Sequence, residues 1–315
     1  MNVLVVGAAG NLGSHLTRYL LNGHHHLRLL VHKNPPSVDL TNIPNAAVVK
    51  ADLNVPSSLR EACKNIDCIV YVAGVLFKPR PEKFLHRTNT AYVQNIVDAA
   101  LSAGVYKFIL VSFPHVEGET TPYAPAKGEL HAHPASIHSQ TRLAAEQYLI
   151  HACEKSAMKP LVFRTGIVYG RGVKLTEMAR TLMSKNLLAI WKKPTWVHLL
   201  SLPDFLKIVE VGIDKDGLRG IYNLCDDHPV CLQEFLDTLA RHWGFKEPRR
   251  LPSFCFYLAA ILCETFATIF HTSTPLTRDI ITMGMTSVVA DTTRMKNEIV
   301  STLMYPTLNE GLELL

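Results

Sequence analysis

The stretch Val3-Leu4-Val5-Val6-Gly7-Ala8-Ala9-Gly10-Asn11-Leu12-Gly13 decides the fold. Its four consecutive apolar residues do not alternate with polar ones, as a strand buried on both faces of a parallel sheet requires. Gly7 ends that strand, and the pattern predicts a helix over 14–22. Each glycine then has its own task. Gly7 makes the tight exit turn, Gly10 has no side chain to hold a pyrophosphate off the backbone, and Gly13 lets the helix pack closely on the sheet. The helix N-terminus offers N–H groups and a partial positive charge to the phosphates. Three glycines alone say little. With a strand before and a helix after they read as a dinucleotide-binding loop, whose contact surface Ala9, Asn11 and Leu12 complete.

Outward from this loop, strands are predicted at 27–31, 47–51, 68–72, 107–111 and 161–163. Helical segments fall between them at 57–64, 89–103 and 139–155. This alternation implies repeated βαβ units, so the expected class is α/β, a doubly wound parallel Rossmann sheet. Beyond about residue 170 the alternation stops and long helical segments enter. We expect a dinucleotide-binding domain over 1–170 and a smaller, mostly helical substrate lobe over 171–315. Short strands at 197–200 and 221–224 are expected to return to the sheet.

Composition narrows the function classes. Of 315 residues, 48% are hydrophobic and 19% charged, which suits a packed globular chain. The net charge of +5 is dispersed. No basic stripe or reading motif is present, so no nucleic-acid partner is expected. The seven cysteines form no CxxC and no zinc-ligand spacing. An odd number without a framework argues for a reducing compartment. The chain opens on a strand, with no leader pattern, and the expected location is cytoplasmic. His24-His25-His26 stand at a helix-to-strand turn, where three consecutive side chains do not converge, so no metal site is expected. Residues 253–270, SFCFYLAAILCETFATIF, carry one charge, Glu264, over a length at the bottom of the range for crossing a bilayer. An amphipathic helix covering a substrate pocket is the first reading. Peripheral membrane contact and a homodimer interface are its alternatives.

The end of the second strand bears on which dinucleotide binds. An NAD site places a carboxylate there for the ribose 2′-hydroxyl. This chain reads Leu30-Val31-His32-Lys33-Asn34, with no acid before Asp39. Lys33, with His32, suits a 2′-phosphate, so NADP(H) is expected in preference to NAD(H).

With these motifs in order, the chain resembles the extended short-chain dehydrogenase/reductase family along essentially its whole length. The GxxGxxG spacing of residues 7–13 matches. Asp52-Leu53 resembles the family's adenine-contacting pair, and Val72-Ala73-Gly74 ends the fourth strand beside the cofactor's riboses. Asn89 begins a helix similar to one in the family. Arg164-Thr165-Gly166-Ile167-Val168-Tyr169-Gly170 is similar to its RxGxVYG segment, which implies that Ile167 lies near the nicotinamide. Residues 291–294 and 305–312 resemble its C-terminus.

The resemblance also implies a catalytic Tyr, a Lys four residues later and a Ser or Thr. A tyrosine of reference pKa about 10 needs a nearby cation to act near neutrality. Counting back from Ala144-Ala145-Glu146-Gln147 puts His138 at the Tyr position and Arg142 at the Lys position. Phe113 takes the Ser position, with Ser112 one residue earlier. One reading makes His138 a substitute proton donor, while Arg142 keeps the charge and holds the nicotinamide ribose. The other removes hydride transfer and leaves a non-redox isomerase, cyclase or epimerase, or a cofactor-binding regulatory or assembly protein without turnover. Tyr123, His115, His131 and His133 are further proton-donor candidates in the intervening loop.

The segment from Leu251-Pro252 through Thr274-Pro275-Leu276-Thr277 is similar to the substrate lobes of 3β-hydroxysteroid dehydrogenase and dihydroflavonol reductase relatives. That implies a hydrophobic small-molecule substrate carrying a carbonyl or alcohol. A sugar-nucleotide substrate would need cations for its diphosphate, and Arg180, Lys192, Lys193, Arg241, Arg249 and Arg250 are the candidates.

Overall fold

The computed structural model describes residues 1–32, 44–75, 78–274 and 276–315. Lys33 and Asn34 therefore lie outside the described residues. β1 (Asn2–Val6), β2 (His26–Val31), β3 (Ala46–Lys50), β4 (Cys68–Tyr71), β5 (Lys107–Ser112) and β6 (Lys159–Thr165) form one sheet with a seventh strand, Gly220–Leu224. Every pairing is parallel. From one edge the order runs Gly220–Leu224, β6, β5, β4, β1, β2, β3. The direction of winding reverses between β1 and β4, and a crevice at the carboxyl ends of these strands is where such sheets bind ligands.

The unbroken apolar strands are explained by the two layers they contact. In β1, Val3 and Val5 face α1 (Asn11–Leu21), packing with Leu16 and Leu20. Leu4 and Val6 face the opposite layer and the apolar faces of α2 (Pro56–Cys63) and α3 (Tyr92–Ser102). The two-residue period of a strand thus feeds both cores. α4 (Ile137–Ala152) completes the second layer with Ala145 and Leu149. Its start is set by Ser136, whose hydroxyl accepts from the Ser139 amide at 3.1 Å.

The later half is less cleanly separated than the change in pattern at 170 suggests. α5 (Lys174–Ser184) belongs to a third cluster, built around Trp191, Phe235 and Leu239. α6 (Leu202–Asp214) instead returns to cover the large sheet through Phe205, Ile208 and Val209. Gly220–Leu224 joins that sheet at its edge, but the segment near 197–200 does not. It splits into Trp196–Val197, paired antiparallel with Val230–Cys231, and Leu199–Ser201, paired parallel with Ile167–Tyr169. The physical reason is Gly166. A Cβ there would lie 2.5 Å from the His198 carbonyl oxygen, so these strands are drawn together by close backbone approach beside the sheet.

α7 (Leu232–His242), α8 (Ser253–Ile269) and α9 (Arg278–Met285) follow, with short helices at Thr293–Glu298 and Leu308–Gly311 after them. Residues 253–270 form a helix as expected, but it lines no part of the large cleft described below; α9 does, through Met283. Ala260 and Ala267 of α8 turn inward and Phe256 packs edge-on against Trp191, while Phe254, Leu258, Leu262 and Phe266 turn out. No described helix is long and apolar enough to cross a membrane.

Candidate active site

A cleft of about 1000 Å³ runs along the carboxyl ends of β1, β2, β4 and β5. At its centre is the glycine loop. Gly7 has φ +97°, and a Cβ on it would lie 2.7 Å from the Ala73 amide nitrogen. A Cβ on Gly13 would lie 2.0 Å from the Gly7 carbonyl oxygen, so Gly13 serves helix–strand packing and does not itself line the cleft. Gly10 caps α1 without a side chain, and no acid stands in the first turn. The positive end of the helix dipole is left for an anion. Ala9, Gly10, Asn11 and Leu12 line the cleft. The Asn11 side chain is taken up in the fold: its amide donates to the Gly172 carbonyl (2.9 Å) and its oxygen accepts from the Lys174 amide (2.8 Å).

Toward the second strand the cleft is lined by His32, Asp52 and Leu53, with His32 Nδ1 3.9 Å from Asp52. On the other side lie Ala73, Gly74 and Ile167. Asn89 does not reach it; it is buried, and its amide donates to Thr141 on α4 (3.1 Å). It ties two helices together instead.

The two α4 positions singled out by the resemblance both face the cleft. Arg142 is buried, and among the described residues only one guanidinium nitrogen has a hydrogen-bond partner, the Ala73 carbonyl at 3.3 Å. Nε and Nη1 have none among the described residues. A buried cation with two unpartnered donor nitrogens is costly unless a ligand completes it. Burial lowers the Arg142 pKa from its ordinary value, with partial compensation from Tyr71. The glycine cradle and this incomplete cation fit a diphosphate-linked dinucleotide with one polar end at Arg142.

His138 is held by a residue that the sequence reading missed. Its Nδ1 donates to Asp279 at 2.5 Å, which leaves Nε2 3.4 Å from the Val75 carbonyl at the cleft wall. Asp279 lies on α9 and also accepts the amides of Ile137 (2.6 Å) and His138 (3.2 Å), so it caps α4 from another helix. Burial pushes its carboxyl up, but the bonds from His138 and Ile137 outweigh this and hold it below the usual value. No local pattern marks Asp279; the contact spans 141 positions.

The other donor candidates separate clearly. Ser112 borders the cleft, but its hydroxyl donates to Glu146, which also accepts from Arg164 at 2.6 and 3.0 Å. Arg164 pairs with Glu117 as well. Ser112 is thus committed to a buried structural network. Tyr123 is 99% exposed and lines no part of the cleft, because its short turn projects into solvent. His131 and His133 line a separate, shallow surface depression beside Gln140 and Gln147. His115 does line the cleft, and burial lowers its pKa to about 4.

His198 is a second residue that the sequence reading missed. It lines the cleft, its Nδ1 accepts from the Ala290 amide (3.1 Å), and its Nε2 lies 3.8 Å from Asp226. Burial lowers His198 to about 4 and raises Asp226 to about 8. Apolar side chains, including Phe113, Met283 and Val288, complete the wall. None of the six cations considered for a diphosphate in the lobe borders it. Lys78 and Arg87, near the fourth strand, do.

At the far end of the sheet, His24 and His25 both approach Asp214, at 3.3 and 3.4 Å. Two of the three consecutive histidines therefore do converge. The bend before β2 turns them together, while His26 enters the strand.

Comparisons with known proteins agree with this geometry. The pattern of the NAD dependent epimerase/dehydratase family matches residues 3–210. UDP-glucose 4-epimerase of Vibrio cholerae is 26% identical over 199 residues, covering 60% of this chain and 61% of the epimerase. 3 beta-hydroxysteroid dehydrogenase type 7 of Mus musculus is 26% identical over 193 residues, covering 54% of this chain and 50% of that enzyme. The chain thus matches less than two thirds of the length of either. The structure of MoeE5 in complex with UDP-glucuronic acid and NAD superposes with a TM-score of 0.78 at 19% identity, covering 100% of this chain and 97% of MoeE5, a likeness of fold. With the glycine loop, the parallel sheet and the Arg164–Gly170 segment in their places, the chain belongs to the NAD dependent epimerase/dehydratase family, within the extended short-chain dehydrogenases and reductases.

Proposed function

We propose that this protein is an NADP(H)-dependent oxidoreductase that interconverts a carbonyl and an alcohol on a hydrophobic small molecule. The observation that carries this reading is the His138–Asp279 pair, bordering an open, largely apolar cleft beside the incompletely partnered Arg142. The bound dinucleotide would supply the hydride. His138 would donate the proton to the substrate oxygen from Nε2 in reduction and take it back in oxidation. Asp279 would keep the proton on Nδ1 and steady the ring, and Arg142 would hold the ribose with its free donors. The preference for NADP(H) over NAD(H) rests on the absence of an acid at the end of β2 and on His32 at the cleft. The apolar wall supports a hydrophobic substrate.

The test uses purified protein, NADPH or NADH, and a panel of hydrophobic ketones. NADPH should bind more tightly, and its absorbance should fall on turnover. His138→Phe should lower kcat about 10²–10⁴-fold while NADPH affinity is kept. Full activity in that variant would remove His138 from the chemistry.

His115, which lines the same cleft and which burial lowers to about 4, supports a second reading, a non-redox isomerisation. Two imidazoles on one cleft can take a proton from one carbon and return one at another. Solvent deuterium entering the product without net NADPH consumption would select this reading over the first.

A further inference from the structure

Helix α8 carries an apolar face that nothing among the described residues covers. Of its 17 residues only Ala260, Glu264 and Ala267 are buried, a stripe at i, i+4 and i+7. Glu264 secures that side to α9, accepting from the Arg278 amide and guanidinium, each at 2.8 Å. On the opposite side Phe254, Leu258, Ile261, Leu262, Phe266 and Ile269 are between 45 and 68% exposed. Phe270, just past the helix, extends the face, its ring 4.4 Å from that of Phe266. A single exposed leucine is ordinary, but a contiguous patch of this kind marks a contact surface.

Charge identifies the occupant. The buried Glu264 is the only Asp, Glu, Lys, Arg or His on α8, so no such charge on the outer face opposes its entry into hydrocarbon. Cations gather where the chain enters the helix. Arg249–Leu251 pairs in parallel with Ala189–Trp191 and runs through Pro252 into α8. This places the exposed Lys192, Lys193 and Arg249 beside its start, with Lys246 three residues before Arg249. None of these four makes an ion pair among the described residues. The nearby acids are already engaged, Glu247 by Arg241 and Asp237 by Arg250. At 1.5 Å per residue the helix is about 25 Å long, short of a hydrocarbon core of about 30 Å. An apolar face with a basic rim and too little length to span suits a helix lying in the plane of an interface.

We propose that α8 docks this protein on an anionic lipid surface, its aromatic and leucine side chains among the upper acyl chains and Lys192, Lys193, Lys246 and Arg249 against the phosphates. The docking stands independently of the reaction assigned to His138. It also gives the cleft a neighbour, because α9, held by α8, contributes Met283 to the cleft wall and Asp279 to His138.

Full-length protein is floated with vesicles of phosphatidylcholine alone and of phosphatidylcholine with phosphatidylglycerol. Binding should favour the anionic vesicles at least ~10-fold and fall with salt. The variant Leu258→Glu with Leu262→Glu should lose at least ~10-fold in binding while retaining its melting temperature and NADPH affinity. Lys192→Glu with Lys193→Glu should lose ~30-fold or more on anionic vesicles only. The proposal is overturned if the protein ignores both vesicle types, or if the glutamate variants bind as well as the parent. It is equally overturned if the face instead closes a dimer, seen as a concentration-dependent, lipid-independent species that Leu258→Glu dissociates.

Discussion

Residue by residue, the site departs from its family pattern without losing chemical logic. Where the resemblance implies a tyrosine, His138 brings an imidazole, the proton donor of the proposed reaction. What it needs is orientation, and Asp279 provides it. Asp279→Asn keeps the shape and one acceptor, so the fold should persist while kcat drops about 10²-fold and KM changes little. A parallel rise in KM, or unchanged kcat, would show that Asp279 only caps α4. The same variant has a stability signature. The folded carboxyl lies below its unfolded value, so its contribution is present above about pH 4 and disappears as pH falls through the folded pKa. The parent should therefore lose melting temperature more steeply than Asp279→Asn below about pH 4.

At the scale of elements, α4 is the beam on which the site is mounted. It carries His138 and Arg142 toward the cleft and Glu146 into the core. There Glu146 binds Ser112 of β5 and Arg164 of β6. Two strands and the helix are locked through one buried carboxylate, which takes up the Ser112 hydroxyl. Burial raises the Glu146 carboxyl, with Arg164 and Ser112 working in the opposite direction. Breaking a buried pair from one side leaves a charge uncompensated. Glu146→Gln should cost about 3 kcal/mol in urea unfolding, since Arg164 keeps one carboxylate, Glu117, and the Glu129 carbonyl. A loss below about 1 kcal/mol would mean that the network contributes little to the fold. α8 is the opposite kind of element: its buried residues are Ala260, Glu264 and Ala267 and its outer face is large, so its packing alone does not account for its composition.

For the whole molecule, one buried group ties stability to pH. Asp226 is fully buried, and its carboxylate oxygens have no hydrogen-bond partner among the described residues. Burial raises it to about 8. Its neutral form is favoured in the fold, so its own contribution to stability is full below about pH 4, declines as pH rises toward 8 and then levels. Asp226→Asn should flatten the melting-temperature profile between about pH 4 and 8 and stabilise the protein at the upper end. An unchanged profile would show that Asp226 ionises in the fold without penalty.

The amino-acid sequence by itself determined the sheet and the phosphate loop. Both are written locally, in unbroken apolar strands and in glycines at 7, 10 and 13 whose spacing follows from one turn and one helix start. It also placed His138 and Arg142 on one helix, because counting along a helix fixes direction. Tertiary structure alone decided what those side chains meet. Asp279 reaches His138 from 141 positions away, Glu146 claims Ser112, and Tyr123 is left in solvent. His198 and Asp226 come together only when the chain returns past the sheet. Residues 253–270 show the same division. Their apolar length is plain in the sequence, but whether that face turns to the cleft or to solvent depends on which stripe α9 covers. Periodicity encodes the shape of an element, whereas partners distant along the chain are chosen by packing.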